Sequence, residues 1–169
     1  MLTDYAIAVL CTVCGLSLAS RAARAGGRSV LLWLAAFFTT AAAALAGGTA
    51  HGFRVPLGDS WWILWRVTVL SIAMSAALWI AAGVRSALSS EARDESSRRE
   101  GILWLKRAVL VSLIGLAVLV GRLSIHRHFN QNDLYHIVQM AGLYCLYRAA
   151  NLLHGLSLEP IGDEEPEIE

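Results

Sequence analysis

Charge is scarce in this sequence. Asp, Glu, Lys and Arg make up 16% of its 169 residues, against about 25% in an ordinary soluble domain. The formal net charge is only +1, which excludes the basic footprint expected of a nucleic-acid-binding protein. Cysteine is thin as well. Cys11, Cys14 and Cys145 all fall inside apolar runs, so no disulfide framework is indicated. Cys11 and Cys14 have the spacing of a redox or metal pair, yet their surroundings read as those of small buried hydrophobes. There is no glycine-rich phosphate loop, no Gly-x-Ser-x-Gly elbow and no basic amphipathic arm. The apolar runs also lack the repeated charges of a proton pump or voltage sensor.

What fills the sequence instead is hydrocarbon. Hydrophobic residues make up 56%, with a mean hydropathy of +0.54, and the charges gather in short clusters between long apolar runs. A membrane-spanning helix needs about 20 mostly apolar residues, because lipid offers no partner to an open backbone N–H or C=O. That rule predicts an all-α, polytopic transmembrane bundle of about five spans over residues 1–156. The spans are placed at about 4–22, 29–51, 61–84, 102–121 and 132–153, with an acidic, disordered tail at 157–169. Lys106 and Arg107 interrupt the start of the fourth and make it the weakest. Asp4 stands where a signal peptide carries positive charge, and the arginines follow the apolar stretch, so the first segment reads as a retained helix. Trp61, Trp62 and Trp65 form an interfacial belt. Ten of the fourteen basic residues fall on one side of this arrangement, leaving Arg54, Arg66, Arg122 and Arg127 on the other. The positive-inside rule then puts the N-terminus outside and the C-terminus inside.

The same topology collects polar chemistry at the outer end. Asp4, His51, His126, His128, Asp133 and His136 all fall there, whereas His154 lies at the other end. Two stretches matter most. In Gly47-Gly48-Thr49-Ala50-His51-Gly52-Phe53, the residues Thr40, Ala44, Gly47 and His51 share a face within about 40°. Small residues on that face admit a close helix and turn His51 into the bundle; alternatively the glycines are a packing notch and His51 an interfacial histidine. In the stretch from His126 to Gln139, Asn132, Asp133, His136 and Gln139 occupy a sector of about 120°. Asp133 and His136 are three apart and can reach one object. A carboxylate and an imidazole suit zinc or another divalent metal, or an acid/base pair. The alternative is that Asn132 or Asp133 caps the last helix and His136 bonds a neighbouring helix. Thr68, Ser71 and Ser75 form a small polar stripe that reads as helix–helix contact.

The pairing of GGTAHGF after an early span with HFNQNDLYHIVQM opening the last one, together with Thr3-Asp4-Tyr5, resembles a family of uncharacterised small polytopic membrane proteins, mainly bacterial. A histidine often stands in that pattern where Gln131 is here. The resemblance implies a multi-pass protein of the cell membrane, the inner membrane in a bacterium, and carries no activity. A looser similarity links His51 and His136 to the alkaline ceramidase and adiponectin-receptor group, seven-helix proteins that hold zinc with one early and two late histidines. Gly47 and Asn132 stand where that group has Ser and His, and the chain is short for seven spans.

The expectation is therefore a membrane protein with a polar site at its outer face. His51, Asp133 and His136 are the candidate ligands of a divalent metal, with Asp4 or His128 as further ones. A metal-bound water there would suit hydrolysis of a lipid amide or ester. Two alternatives stay open: the same groups bind a lipid, small molecule or metal without turnover, or they are structural contacts in a membrane subunit. The partners expected are the bilayer and a lipid or small-molecule ligand, with no nucleic acid.

Overall fold

Four of the apolar runs form helices that are long and apolar enough to cross a membrane: Leu2–Ala23, Leu31–Gly52, Arg54–Leu88 (including a short break near its start) and Glu95–Val120. They belong to a computed structural model that describes residues 2–25, 30–89, 94–124, 126 and 129–156. The elements are α1 (Leu2–Ala25), α2 (Leu31–Gly52), α3 (Arg54–Leu57), a 3-10 turn (Gly58–Ser60), α4 (Trp61–Leu88), α5 (Glu95–Val120) and α6 (Gln131–Leu153). Among the described residues no strand occurs. The expected acidic tail and His128 lie outside the described residues.

The helices stand in a curved row, α4–α2–α1–α6–α5, in which each packs on its neighbours. Cross-contacts show that all five long helices run from one end of the bundle to the other. Thr3 of α1 meets Asp133 at the start of α6, and Tyr5 meets Thr49 near the end of α2. Trp61, opening α4, donates its indole N–H to the Ala50 carbonyl, 3.0 Å away, and satisfies one of the orphan carbonyls of α2. Gly115, near the end of α5, faces Tyr135. These contacts define the upper end. At the lower end Arg21 donates to Asn151 (2.8 Å) and to the Leu156 carbonyl, while Trp33, Ser86 and His154 form one buried hydrogen-bonded line of 2.9 and 3.0 Å.

The core lies along the α1–α2–α6 side. Trp33, Phe37, Leu18, Leu153 and Cys11 are fully buried, and Phe37 meets Trp79 of α4 edge-on at 4.7 Å. By contrast only 17% of the most apolar window of α4, and 17% of that of α5, is buried inside the protein, against 39% and 44% in α1 and α2. The outward side chains of α4 and α5 are Val, Leu, Ile and Met. An apolar surface of that extent is stable only against lipid or another apolar partner.

Three details depart from the sequence expectation. The fourth span, expected at 102–121, begins at Glu95, because Asp94 caps it: its carboxylate accepts from the Ser97 backbone N–H at 2.7 Å and from the hydroxyls of Ser96 and Ser97. Lys106 and Arg107 do not interrupt it; the Arg107 guanidinium lies over the Trp104 ring, 4.6 Å away. It is α6, not α5, that falls outside the set apolar enough to cross a membrane by composition. The physical reason is position, since α6 is flanked by α1 and α5 and its polar groups point at them. The connection 54–60 is one helical turn followed by a 3-10 turn.

The Asp94 cap gives a first expected result. Those three hydrogen bonds, the Ser96 hydroxyl foremost, hold the Asp94 carboxyl at about 2 instead of 3.8. A lowered carboxyl contributes stability in full above its ordinary value and loses it as pH falls through the folded one. Asp94→Ala should therefore lower Tm in detergent by about 2–4 °C at pH 7, and the gap from the wild type should close near pH 2. Paired melts at the two pH values check this; a gap that is equal at both would refute the cap's role.

Candidate functional site

The upper end of the curved row encloses a cavity of about 430 Å³. Every long helix contributes to its wall: Asp4 and Ile7 from α1, Thr40, Gly47 and His51 from α2, Trp65, Thr68, Ser75 and Trp79 from α4, Ser112 and Gly115 from α5, and Tyr135, His136 and Gln139 from α6. The α4–α5 side is its thin wall. Those helices close the row without packing along their length, and Leu105 reaches towards Gly83 only lower down. Ile72 and Ser112 line the cavity there and are exposed.

Glycines make the polar corner possible. A Cβ at Gly48 would lie 3.0 Å from the Asp4 Cβ, and one at Gly47 would lie 3.2 Å from the Thr68 methyl. Larger residues would push α1 and α4 off α2. The notch expected from Gly47-Gly48 thus serves two neighbours at once, and it seats Asp4 in a buried position.

Asp4 faces His136, with 3.7 Å between Oδ1 and Nε2. The other imidazole nitrogen, Nδ1, lies 2.9 Å from the Thr3 hydroxyl oxygen. That hydroxyl donates its own proton to Oδ1 of Asp133 at 3.1 Å. A hydroxyl has one proton to give, so Thr3 accepts from His136, and the hydrogen-bond network assigns the ring proton to Nδ1. In the neutral ring Nε2 then carries a lone pair and points at the Asp4 carboxylate. The chain Asp133–Thr3–His136 orients the imidazole much as a carboxylate behind a ligating or basic histidine does.

The residues singled out from sequence divide accordingly. Asp4, His51 and His136 line one cavity. His51 sits at its exposed mouth, its ring edge-on to Trp65 at 5.4 Å. Asp133 does not line it. Its Oδ1 is taken by Thr3, and its Oδ2 accepts from the Asn130 backbone N–H while Asn130 caps the helix in return. The cap of α6 is thus Asn130, with Asp133 as its reciprocal partner. Asn132 is exposed. Among the described residues no group of three His, Cys, Asp or Glu side chains is arranged to hold a metal ion. Cys11 and Cys14 are buried free thiols in the core.

Several members of the wall were not readable as such. Thr68 and Ser75, in the expected helix–helix stripe, donate to the carbonyls of Leu64 and Ser71 in their own helix. Thr40 and Ser112 do the same towards Ala36 and Ala108. Trp79 reaches in from α4 and donates to the Thr40 oxygen at 3.1 Å. Thr3 had only its place beside Asp4 and Tyr5 to mark it.

Neither a curated protein nor a solved structure matches the chain. Residues 1–97 and 94–154 match a family of unknown function, DUF6962, and with that coverage the chain belongs to this family.

Proposed function

We propose that this is a binding protein of the cell membrane that takes up a small amphiphilic molecule from the bilayer and holds it within the bundle. One observation carries the reading: a cavity of about 430 Å³ has the Asp4–His136 pair at one end and mostly apolar side chains elsewhere. Concave, largely apolar sites with a few convergent polar groups are the ordinary form of a small-molecule site. Entry between α4 and α5 suits an amphiphile already dissolved in lipid, since Ile72 and Ser112 line that side and are exposed. The distribution of Arg and Lys supports placing the upper end outside.

A second reading is favoured by the Asp133–Thr3–His136 chain. An imidazole with Nδ1–H held and Nε2 directed at a cavity can serve as a general base, or as one ligand of zinc or another divalent ion, in hydrolysis of a lipid amide or ester. The expected ligand set of His51, Asp133 and His136 requires Asp133 to leave Thr3 and Asn130, which makes Asp4 the better carboxylate for such a role.

Organic extraction of detergent-purified protein, followed by mass spectrometry, tests the first reading. It should yield an amphiphile near one equivalent, depleted in Ala44→Phe, which places a phenyl ring in the cavity. Extracts that are the same for both proteins would defeat it. Metal analysis beside it tests the second reading: stoichiometric metal, lost in both His51→Ala and His136→Ala, with turnover of a lipid amide that metal removal abolishes, would put hydrolysis first.

A further inference from the structure

We propose that Trp104, Arg107 and Arg148 form a site on the lipid-facing side of the α5–α6 pair for the phosphate of an anionic phospholipid.

The first observation is where two positive charges meet. The Arg107 guanidinium of α5 lies over the Trp104 ring, 4.6 Å from its centroid, and that of Arg148 on α6 lies over the same ring at 5.3 Å. The two guanidinium carbons are therefore within about 10 Å of each other, close enough for the oxygens of one headgroup to accept from both. Among the described residues neither guanidinium forms an ion pair. Glu100, one turn below Trp104, is exposed and accepts the Trp104 indole N–H at 3.3 Å. A ring face attracts a guanidinium without neutralising it, so two like charges stand side by side. A phosphate between them balances both, and the planar fork of arginine suits its oxygens. A zwitterionic headgroup brings an ammonium into the same cluster and loses that gain.

The second is depth. A Cβ added at Gly101 would lie 2.7 Å from the Leu153 side chain, so these two residues stand at one level near the lower end. Counted along α5 and α6, Arg107 and Arg148 both stand about 7–9 Å above it. Arg21 and Asn151, bonded at 2.8 Å, lie nearer that level. The pair thus sits at the margin of the apolar layer, where a bare guanidinium is costly and a headgroup drawn in to meet it relieves the cost. This is also the end to which the positive-inside rule assigns the cytoplasmic leaflet, where anionic lipids collect.

The third is the surface above the pair. Leu110 and Ile114 continue the Arg107 stripe of α5, and Ala141 and Ile137 that of Arg148 on α6, each within about 60°. All four are exposed. Two apolar stripes running from a charged pair towards the bilayer centre fit the acyl chains of a lipid whose headgroup is held below. Tyr144, also exposed, meets Trp104 edge-on at 6.2 Å and brings a hydroxyl to the same cluster.

The test uses the full-length protein in detergent, with bound lipid counted by native mass spectrometry during titration with dioleoyl phosphatidylglycerol or dioleoyl phosphatidylcholine. Phosphatidylglycerol should bind at least about tenfold more tightly, at one site. Arg107→Gln and Arg148→Gln should each weaken it about fivefold and leave phosphatidylcholine within about twofold of the wild type. Arg66→Gln removes the same charge from the Trp62 ring at the other end and should change neither lipid. Arg107→Lys keeps the charge but not the fork and should weaken phosphatidylglycerol about threefold; it carries the test if the Gln variants do not fold. Equal binding of the two lipids by the wild type overturns the site, as does an equal loss in Arg66→Gln and Arg107→Gln. Displacement of the lipid by an equal concentration of inorganic phosphate overturns the lipid as occupant and assigns the pair to a soluble anion.

Discussion

Trp33→Ala should be the most damaging single truncation in the bundle, costing about 3–5 kcal/mol of stability. Trp33 is 0% exposed, meets Trp79 edge-on at 5.8 Å and donates its indole N–H to Ser86, which in turn is bonded to His154. Its removal takes away the ring contact between α2 and α4 and the N–H that Ser86 accepts. In lipid the gain from hiding hydrocarbon from water is largely absent between helices, so association rests on close packing and interhelical hydrogen bonds. That is why a residue supplying both matters more than a larger number of outward leucines. Ile80→Ala, at a position 68% exposed on the outer face of α4, should change stability by no more than about 0.5 kcal/mol. Equilibrium unfolding of both variants in mixed micelles measures the contrast, and comparable losses would mean that the core does not lie where Trp33 is.

Thr3→Val should have the largest effect on the site while leaving the cavity's shape unchanged. The substitution is nearly isosteric but removes the hydroxyl that links Asp133 to His136. Leaving a half-buried imidazole N–H without its acceptor costs about 1–3 kcal/mol, so affinity for the ligand should fall about tenfold. Thr3→Ser, which restores the hydroxyl, should recover most of it. The two imidazole nitrogen resonances of His136 supply a readout that mere loosening would not move. In the wild type and Thr3→Ser they should report a proton on Nδ1, and in Thr3→Val the population should move towards the Nε2-protonated ring. Unchanged resonances across all three proteins would remove Thr3 from any part in orienting the histidine.

These two residues mark how far a linear reading reaches. Trp33 belongs to an apolar run that any hydropathy rule places in a helix, and Leu31–Gly52 is that helix. Its burial, rather than exposure to lipid, is not a property of the run: Leu31, two residues away, is 60% exposed. In an all-apolar helix the hydrophobic pattern carries little information about which face meets protein, because lipid and protein interior are chemically alike. The polar residues of α6 are more informative. Their placement on one sector follows from 100° per residue, and His136 and Gln139 do face the cavity. Asp133 shares their general face but not their fate, because Asn130 and a hydroxyl 130 positions away engage both of its oxygens. A capping box is visible as a local pattern; a partner from the first turn of the chain is not.

From the sequence alone come the class of solvent, the all-α architecture, the approximate helix limits and the crowding of imidazole and carboxylate groups at one end. All of these depend on length, composition and period, which are local quantities. The tertiary structure decided the order of helices in the row, the open seam between α4 and α5, and the pairing of Asp4 with His136. It also determined that Asp133 stands behind the histidine and not beside it. Those features depend on which small residues let two backbones approach, as Gly47 and Gly48 do for α4 and α1, and close approach is a property of pairs of helices that no single stretch of residues contains.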